Sequence, residues 1–246
     1  MDRLVYTALT GLRSQMAAQS TIANNIANAS TTGYRADRVS FDRLVLTGGL
    51  ETRQLAAEEV DDFDRRAGTI VQTARPLDVA VTSDSWIAVQ ATDGSEAYTR
   101  RGDLSVAASG VLETGDGFPV MGSGGPITVP PYQSIAIAED GTVSIVPAGG
   151  DPTQPQMIDK IKLASPEGSQ TAKGLDNLLH VKGGGVLPED LDGKLASGAL
   201  EQSNVNLTQA LVDMIENQRS YEVQAGLLKE ARNMDESAAS LMRMPA

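Results

Sequence analysis

The chain contains no cysteine, which excludes disulfides, thiolate nucleophiles and cysteine-bound metals. That absence suits the cytoplasm or a compartment reached without oxidative folding. Aromatic residues make up only 4%, so a hydrophobic core has to be built from aliphatic side chains. Positive charge is also scarce: 20 Lys and Arg against 32 Asp and Glu give a formal net charge of -12. So acidic a chain argues against nucleic acid or an anionic membrane as a partner. No apolar run approaches the roughly 18 to 20 residues that a membrane-spanning helix requires. The amino terminus lacks the basic region and unbroken apolar stretch of a signal peptide, because Thr7, Thr10 and Arg13 interrupt it. A chain of this kind is expected to leave the cytoplasm, if it does, uncleaved and by another route. The single histidine, His180, stands in no recognisable nucleophilic motif and reads as a packing or surface residue.

What the chain does have is a helical pattern at each end. Val5, Leu9, Leu12, Met16, Ala23 and Ile26 recur on alternating steps of four and three, with Gln19 the one polar member of the stripe. The opposite face carries Arg3, Arg13, Gln15, Thr21, Asn24 and Asn28. Asn24, Asn25 and Asn28 are poor helix formers, so this helix needs a partner. Gly33, after a Ser-Thr-Thr run, supplies the open conformation that ends the segment. Near the other terminus Leu207, Leu211, Met214, Gln218, Tyr221, Ala225 and Leu228 form a second stripe of the same spacing. Asn206 is placed to cap that helix, with Gln209 reaching back in a capping box. Glu216 with Arg219 and Arg232 with Glu236 are spaced for exposed helix pairs. Gly226 inside the helix costs about 1 kcal/mol relative to alanine, and close approach by a neighbouring helix is the benefit expected of it.

Between the helices the pattern changes twice. Residues 37–75 are mixed and charged, and read as an extended connector. Glu58, Glu59, Asp61, Asp62 and Asp64 cluster there without the spacing of a calcium loop, so a solvated segment is expected rather than a cation site. After Pro76 come brief apolar or β-branched runs at 77–81, 86–89, 102–106, 118–121, 127–129, 135–138, 143–146 and 158–163, divided by Gly, Pro and Asp-Gly signals. This is the pattern of antiparallel β structure. One hairpin can be registered: a three-residue loop, Glu139 to Gly141, pairs Ile137 with Val143 and Ile135 with Ile145 and leaves Gly141 in a left-handed bulge position. Residues 147–156 form a turn or linker, and Gly183-Gly184-Gly185 lacks the following Gly-Lys-Thr and helix of a phosphate loop.

The predicted fold class is therefore α+β: helices at 1–36 and 204–246 pairing as a coiled-coil-like assembly domain, the connector at 37–75, and a mainly antiparallel β domain at 76–203. Both stripes are interrupted, at Gln19 and Gln218, and a two-helix pair buries little. Helices from other copies would complete the burial, and head-to-tail docking that does not close yields a filament.

These residues carry a resemblance. Ala23-Asn24-Asn25-Ile26-Ala27-Asn28 with Thr31, Gly33, Tyr34 and Arg35 resembles the amino-terminal motif of the axial proteins of the bacterial flagellum, the rod and hook family. Leu77-Asp78-Val79-Ala80-Val81, Tyr98-Thr99-Arg100-Arg101-Gly102-Asp103-Leu104 and Gly110-Val111-Leu112 resemble that family's β domain. Ala199-Leu200-Glu201-Gln202-Ser203-Asn204-Val205-Asn206, then Met214-Ile215, Gln218-Arg219 and Tyr221-Glu222, resemble its carboxy-terminal motif. The opening Met1 to Ala8 and the short length are more similar to proximal-rod members than to distal-rod ones. The chain departs from the family at Ser83, Ser85, Trp86 and Ile87, where glycines and paired phenylalanines are usual, and at Gly226, where a lysine is frequent; Trp86 is expected in the β core.

The resemblance implies a structural rod subunit that transmits motor torque, is exported through the flagellar apparatus, sits in the periplasm, and partners other copies of itself and neighbouring rod proteins. The assembly residues it implies are Leu9, Leu12, Met16, Asn24, Asn25, Ile26, Asn28, Gly33 and Tyr34 at one end. At the other they are Asn204, Asn206, Leu207, Leu211, Met214, Ile215, Gln218, Arg219, Tyr221 and Leu228. Neither cofactor nor metal is expected. An enzyme would need a carboxylate pair such as Asp78, Asp84 or Glu113, whose spacing supports no such role. A secreted surface-binding β protein with helical anchors is the third class considered.

Overall fold

The computed structural model describes residues 2–45, 54–151 and 153–242. The chain divides into two compact units: Met1–Asn28 with Asp37–Phe63 and Val205–Ala246, and Ala29–Ala36 with Asp64–Asn204. It is a mixed α and β protein, and every strand pairing among the described residues is antiparallel.

The first unit holds helix α1 (Asp2–Ala27), strands β1 (Asp37–Val45) and β2 (Gln54–Phe63), and a long helix near the carboxyl end, α2 (Leu207–Met242). The two strands form a hairpin from Asp37 opposite Phe63 to Val45 opposite Gln54, with an irregularity between Arg38 and Ser40. Part of the stretch read as a connector is thus paired strand, packed in the unit of the helices. Alternation is hard to see there because charged residues occupy both faces. The side chains of Glu58, Glu59, Asp61 and Asp62 lie outside the described residues.

Helix α1 packs against α2 through a face that the hydrophobic pattern did not indicate. Ser14 and Thr21 are its buried positions, and Gly11, Ala18 and Asn25 are half-buried on the same side. A Cβ on Gly11 would stand 3.1 Å from Gln224 Oε1, and Gln15 Nε2 donates to Ser220 Oγ. As α1 advances α2 recedes, so the helices run antiparallel. On α2 the inward positions are Ala210, Met214, Asn217, Tyr221, Gln224, Ala225 and Leu228. Small residues let two helices approach closely, and α1 has spent its small face on this contact. The predicted stripe consequently stays partly outside: Leu9, Met16 and Ala23 are exposed, Leu12 and Ile26 half-buried. Val5 lies outside the described residues as regards its side chain. Among the described residues a Cβ at Gly226 would meet nothing within 4 Å, and the close approach of the two helices within the chain falls at Gly11.

The ends of the helices follow local chemistry. Asn206 Oδ1 accepts from the Gln209 amide at 3.1 Å, the predicted cap. Gln209 does not reach back, however; its Nε2 donates forward to Asp213 at 2.8 Å, one helical turn on. Arg232 pairs with Glu236 at 2.9 Å, whereas Glu216 and Arg219 form no pair among the described residues.

The second unit is built from short strands: β3 (Ile70–Gln72), β4 (Val79–Val81), β5 (Trp86–Gln90), β6 (Glu96–Thr99), β7 (Leu104–Val106), β8 (Leu112–Thr114), β9 (Tyr132–Ile137), β10 (Thr142–Pro147), β11 (Gln156–Lys160), β12 (Leu163–Ala164), β13 (Thr171–Lys173), β14 (Leu179–Val181), β15 (Leu195–Ser197) and β16 (Ala199–Glu201). They form a five-stranded sheet in the order β12-β5-β6-β14-β13, a three-stranded sheet β11-β10-β9, and the pairs β15-β4, β16-β3 and β7-β8. The registered hairpin has the predicted pairing, Ile137 opposite Val143 and Ile135 opposite Ile145, and Gly141 takes φ 87° at the bulge. The runs at 118–121 and 127–129 make only isolated bridges. Pro119 and Pro126 deny them the N–H groups a continuous ladder needs. The run at 158–163 is divided between β11 and β12.

The core is aliphatic, as the scarcity of aromatics requires. Val79, Ile87, Leu104, Leu112, Val120, Ile127, Val143, Ile145, Ile161 and Leu195 are buried together in one cluster. Tyr98 is also fully buried; its hydroxyl donates to Glu96 at 2.8 Å and accepts from the Leu187 amide at 2.6 Å. Burial pushes its phenol pKa up. Replacing Ile145 by alanine is expected to destabilise this unit by about 2–5 kcal/mol. Urea unfolding followed through Trp86, the only tryptophan, measures the shift.

Candidate functional site: the Glu201 clamp

Two chain segments meet in the second unit: the one that follows α1 and the one that precedes α2. Gly33 donates its amide to the Glu201 carbonyl at 2.8 Å, and Asn204 donates its own to the Tyr34 carbonyl at 3.3 Å. Asn204 Oδ1 accepts from the Ala36 amide at 2.8 Å, while its Nδ2 donates to the carbonyls of Asp64 and Arg66, each at 2.9 Å. One side chain thus joins two passages of the chain, at Ala36 and at Asp64 to Arg66, to its own. Gly33 has φ 69°, and a Cβ there would lie 2.4 Å from the Arg100 carbonyl carbon, so no other residue fits without displacing backbone. Tyr34 is buried with Lys173 Nζ 3.7 Å from its ring centroid, and the same ammonium donates to the Arg35 carbonyl at 3.0 Å.

The centre of this junction is charged. Glu201, at the end of β16, is 1% exposed. Its Oε1 lies 2.6 Å from Arg35 Nη2 and accepts from the Gly68 amide at 2.8 Å; its Oε2 lies 3.3 Å from Arg100 Nη1. Arg35 is 3% and Arg100 4% exposed. Other donors of the two groups are turned to backbone carbonyls, Arg35 Nη1 to Arg65 at 2.7 Å, Arg100 Nη1 to Val81 at 3.2 Å and Arg100 Nη2 to Ser83 at 2.8 Å, while the Nε of each arginine is buried without a hydrogen-bond partner. Both guanidinium groups also stand over the Trp86 ring, at 5.9 and 5.3 Å from its centroid. Burial lowers the pKa of Arg35 and pulls Arg100 down to about 10, with Glu201 opposing it in both and Arg35 adding to it for Arg100. Arg100 therefore remains charged at neutral pH. Two buried cations on one carboxylate would be costly without these carbonyls and the indole face.

Of the predicted assembly residues, the structure gathers Gly33, Tyr34 and Asn204 here. The asparagines of the opening motif are engaged elsewhere, in the first unit. Asn25 exchanges two hydrogen bonds with the Asp37 backbone, each 2.9 Å; Asn24 Nδ2 donates to the Asp37 carboxylate at 2.9 Å, and Asn28 Nδ2 to the Asn24 carbonyl at 2.9 Å. Asn24 and Asn25 thus grip the start of β1. The apolar members divide: Leu9, Met16, Leu207, Leu211 and Ile215 are exposed, as are Asn206, Gln218 and Arg219, while Leu12, Ile26, Met214, Tyr221 and Leu228 are half-buried. Glu201, Arg35 and Arg100 were visible only as parts of family-like motifs, and nothing in their spacing showed that they would meet.

Among the described residues there is no cluster of metal-binding side chains. Asp78 is buried beside Arg75 at 3.3 Å, Glu113 lies within β8, and Asp84 adds to the field at Arg35 and Arg100. His180 pairs with Asp176 at 3.1 Å.

Three stretches match known protein families. Residues 5–35 match the flagella basal body rod protein family, residues 80–145 the flagellar hook protein FlgE/F/G D1 domain, and residues 196–241 the flagellar basal body rod FlgEFG protein C-terminal family. The chain is 38% identical to the flagellar basal-body rod protein FlgF of Salmonella typhimurium, an alignment covering 99% of this chain and 100% of that protein. The chain belongs to the flagellar basal-body rod protein family. Identity to FlgF of Escherichia coli is also 38%, over 97% of this chain and 96% of the relative. FlgG of Bacillus subtilis is 29% identical, over 99% and 100%. The rod protein described here is thus FlgF-like, and each charged member of its clamp comes from a different matched stretch: Arg35, Arg100 and Glu201.

Replacing Glu201 by glutamine removes the one carboxylate that two buried guanidinium groups share and is expected to cost about 3–5 kcal/mol of stability in this unit. Trp86 fluorescence during urea unfolding reports it, and a loss below about 1 kcal/mol would show that the clamp contributes little.

Proposed function

We propose that this chain is a structural subunit of the flagellar basal-body rod, joining the axial drive shaft through its two terminal helices. The observation that carries the reading is the division of helix faces. The intrachain contact uses Ser14, Thr21 and their small neighbours, while Leu9 and Met16 on α1 and Leu207, Leu211 and Ile215 on α2 stay exposed. Exposed apolar residues in rows on paired helices mark surfaces for further protein. Within the rod the pair would act as a coiled-coil-like element, with neighbouring copies and other rod proteins covering the outer rows. The matched relatives are named as rod proteins, which supports a basal-body location, and a cysteine-free chain suits export through the flagellar apparatus into the periplasm. The role is mechanical and needs no catalysis.

The clamp bears on how this function is tested. Removing residues 1–36 would strip the second unit of Gly33, Tyr34, Arg35 and Ala36, so a cleaner truncation ends at Asn28. Sharper still are single changes on the outer rows. Met16→Asp and Ile215→Asp alter exposed side chains, so each should shift the unfolding free energy by less than about 0.5 kcal/mol. Each should nevertheless abolish incorporation into basal bodies and swimming in cells that lack the native protein. Normal swimming with both changes present would refute the reading.

A further inference from the structure

The outer faces of the two helices complement one another, which their inner faces do not reveal. Along the exterior of α1 run Leu9, Arg13, Met16, Ser20, Ala23 and Ala27, spaced alternately by four and three, all exposed. Large residues stand toward the amino end and small ones toward the carboxyl end. Along the exterior of α2 run Leu207, Leu211, Ile215, Arg219, Glu222 and Gly226, also exposed. Here the order is reversed in level, because the helices are antiparallel. With Gln15 opposite Ser220 and Gly11 opposite Gln224, Leu9 stands level with Gly226, Arg13 with Glu222, Ser20 with Ile215 and Ala27 with Thr208, next to Leu207.

From this we infer that the outer face of α1 in one copy seats against the outer face of α2 in a second copy of this chain, in the same antiparallel register as the intrachain pair, with Leu9 over Gly226 and Arg13 facing Glu222. The inference rests on the assembly reading given under Proposed function.

Three observations support it independently of the apolar character of the faces. Gly226 costs its helix about 1 kcal/mol relative to alanine, yet among the described residues a Cβ there would meet nothing within 4 Å beyond its own stretch of helix. The space lies at the level of the largest apolar residue near the start of the α1 face. Arg13 and Glu222 are both exposed and form no ion pair among the described residues, and the proposed register brings them opposite each other. Finally, the bulky Leu211 and Ile215 come level with the small Ala23 and Ser20, and Leu9 with Gly226, so large side chains face small ones at both ends of the contact, with Met16 level with Arg219 between them. Because the contact joins two different surfaces, it repeats from copy to copy and generates a ring or filament rather than a closed pair.

The absence of cysteine allows a direct test. Two differently tagged full-length chains, one carrying Leu9→Cys and the other Gly226→Cys, are co-expressed in motile cells, basal bodies are isolated, and mild oxidation is followed by non-reducing electrophoresis. A disulfide joining the two tags is expected, and none when Gly226→Cys is replaced by Leu227→Cys, an exposed position about 100° further round α2. Charge exchange gives a second readout. Arg13→Glu and Glu222→Arg should each lower the recovery of this subunit in basal bodies about tenfold, and both changes together should restore it to within about twofold. No cross-link from Leu9→Cys with Gly226→Cys, or equal cross-linking at Leu227→Cys, overturns the proposed contact. So does a failure of the double charge exchange to restore recovery. If Met16→Asp and Ile215→Asp block incorporation while the cross-link is absent, assembly through the helices stands and the partner of these faces is a different rod protein. If those two changes are harmless, the assembly reading itself falls.

Discussion

A buried carboxylate shared by two buried guanidinium groups is the interaction around which the second unit is organised. Glu201 sits at the end of β16, four residues before α2 enters its own unit of the chain; Arg35 follows α1 by eight residues. Holding them together ties the segment leaving one helix to the segment approaching the other. The pairing is expensive in isolation, since each ion gives up water. It is made tolerable by secondary partners, the carbonyls of Arg65, Val81 and Ser83, the Gly68 amide and the Trp86 ring, although the Nε of each arginine stays unpaired. Trp86 therefore serves as more than core filling. The same junction explains Gly33, whose missing Cβ allows the backbone of Arg100 to approach.

The helices show a different economy. A weakly apolar helix has several faces to spend, and α1 commits its small one, Gly11, Ser14, Ala18 and Thr21, to α2. Close approach at small residues gives dispersion contacts without consuming the large apolar side chains. Leu9 and Met16 thereby stay outside, as do Leu207, Leu211 and Ile215 on α2. For a protein of an axial family this is the expected outcome of two competing demands, since surface buried within the chain is no longer available between chains. The polar residues of the intrachain contact, Gln15, Asn217 and Gln224, suit a contact of limited strength.

Much of this was legible in the linear chain. Two helices with a β region between them, the register of the hairpin at Gly141, the cap at Asn206 and the aliphatic core all follow from periodicity, turn chemistry and composition, which act over a few residues. The misreadings were of two kinds. Pro119 and Pro126 break up runs whose apolar content resembled strands, and the charged segment 37–63 concealed a hairpin because neither of its faces is plainly apolar. The asparagines after position 23 were legible as unusual, but their bonds to Asp37 required knowing that the chain turns back there.

By itself, then, the sequence determined what each stretch can become: which segments are helical, where the turns fall, and that no cysteine chemistry takes part. Those outcomes depend on local propensity and on side-chain period. Only the tertiary structure decided which face of α1 meets α2, and that Arg35, Arg100 and Glu201 share one buried site. Both are questions of what lies opposite what across gaps of more than 60 residues. A stripe of heptad spacing says only that a helix has a partner, and packing geometry, favouring the smaller residues, decides which side that partner takes.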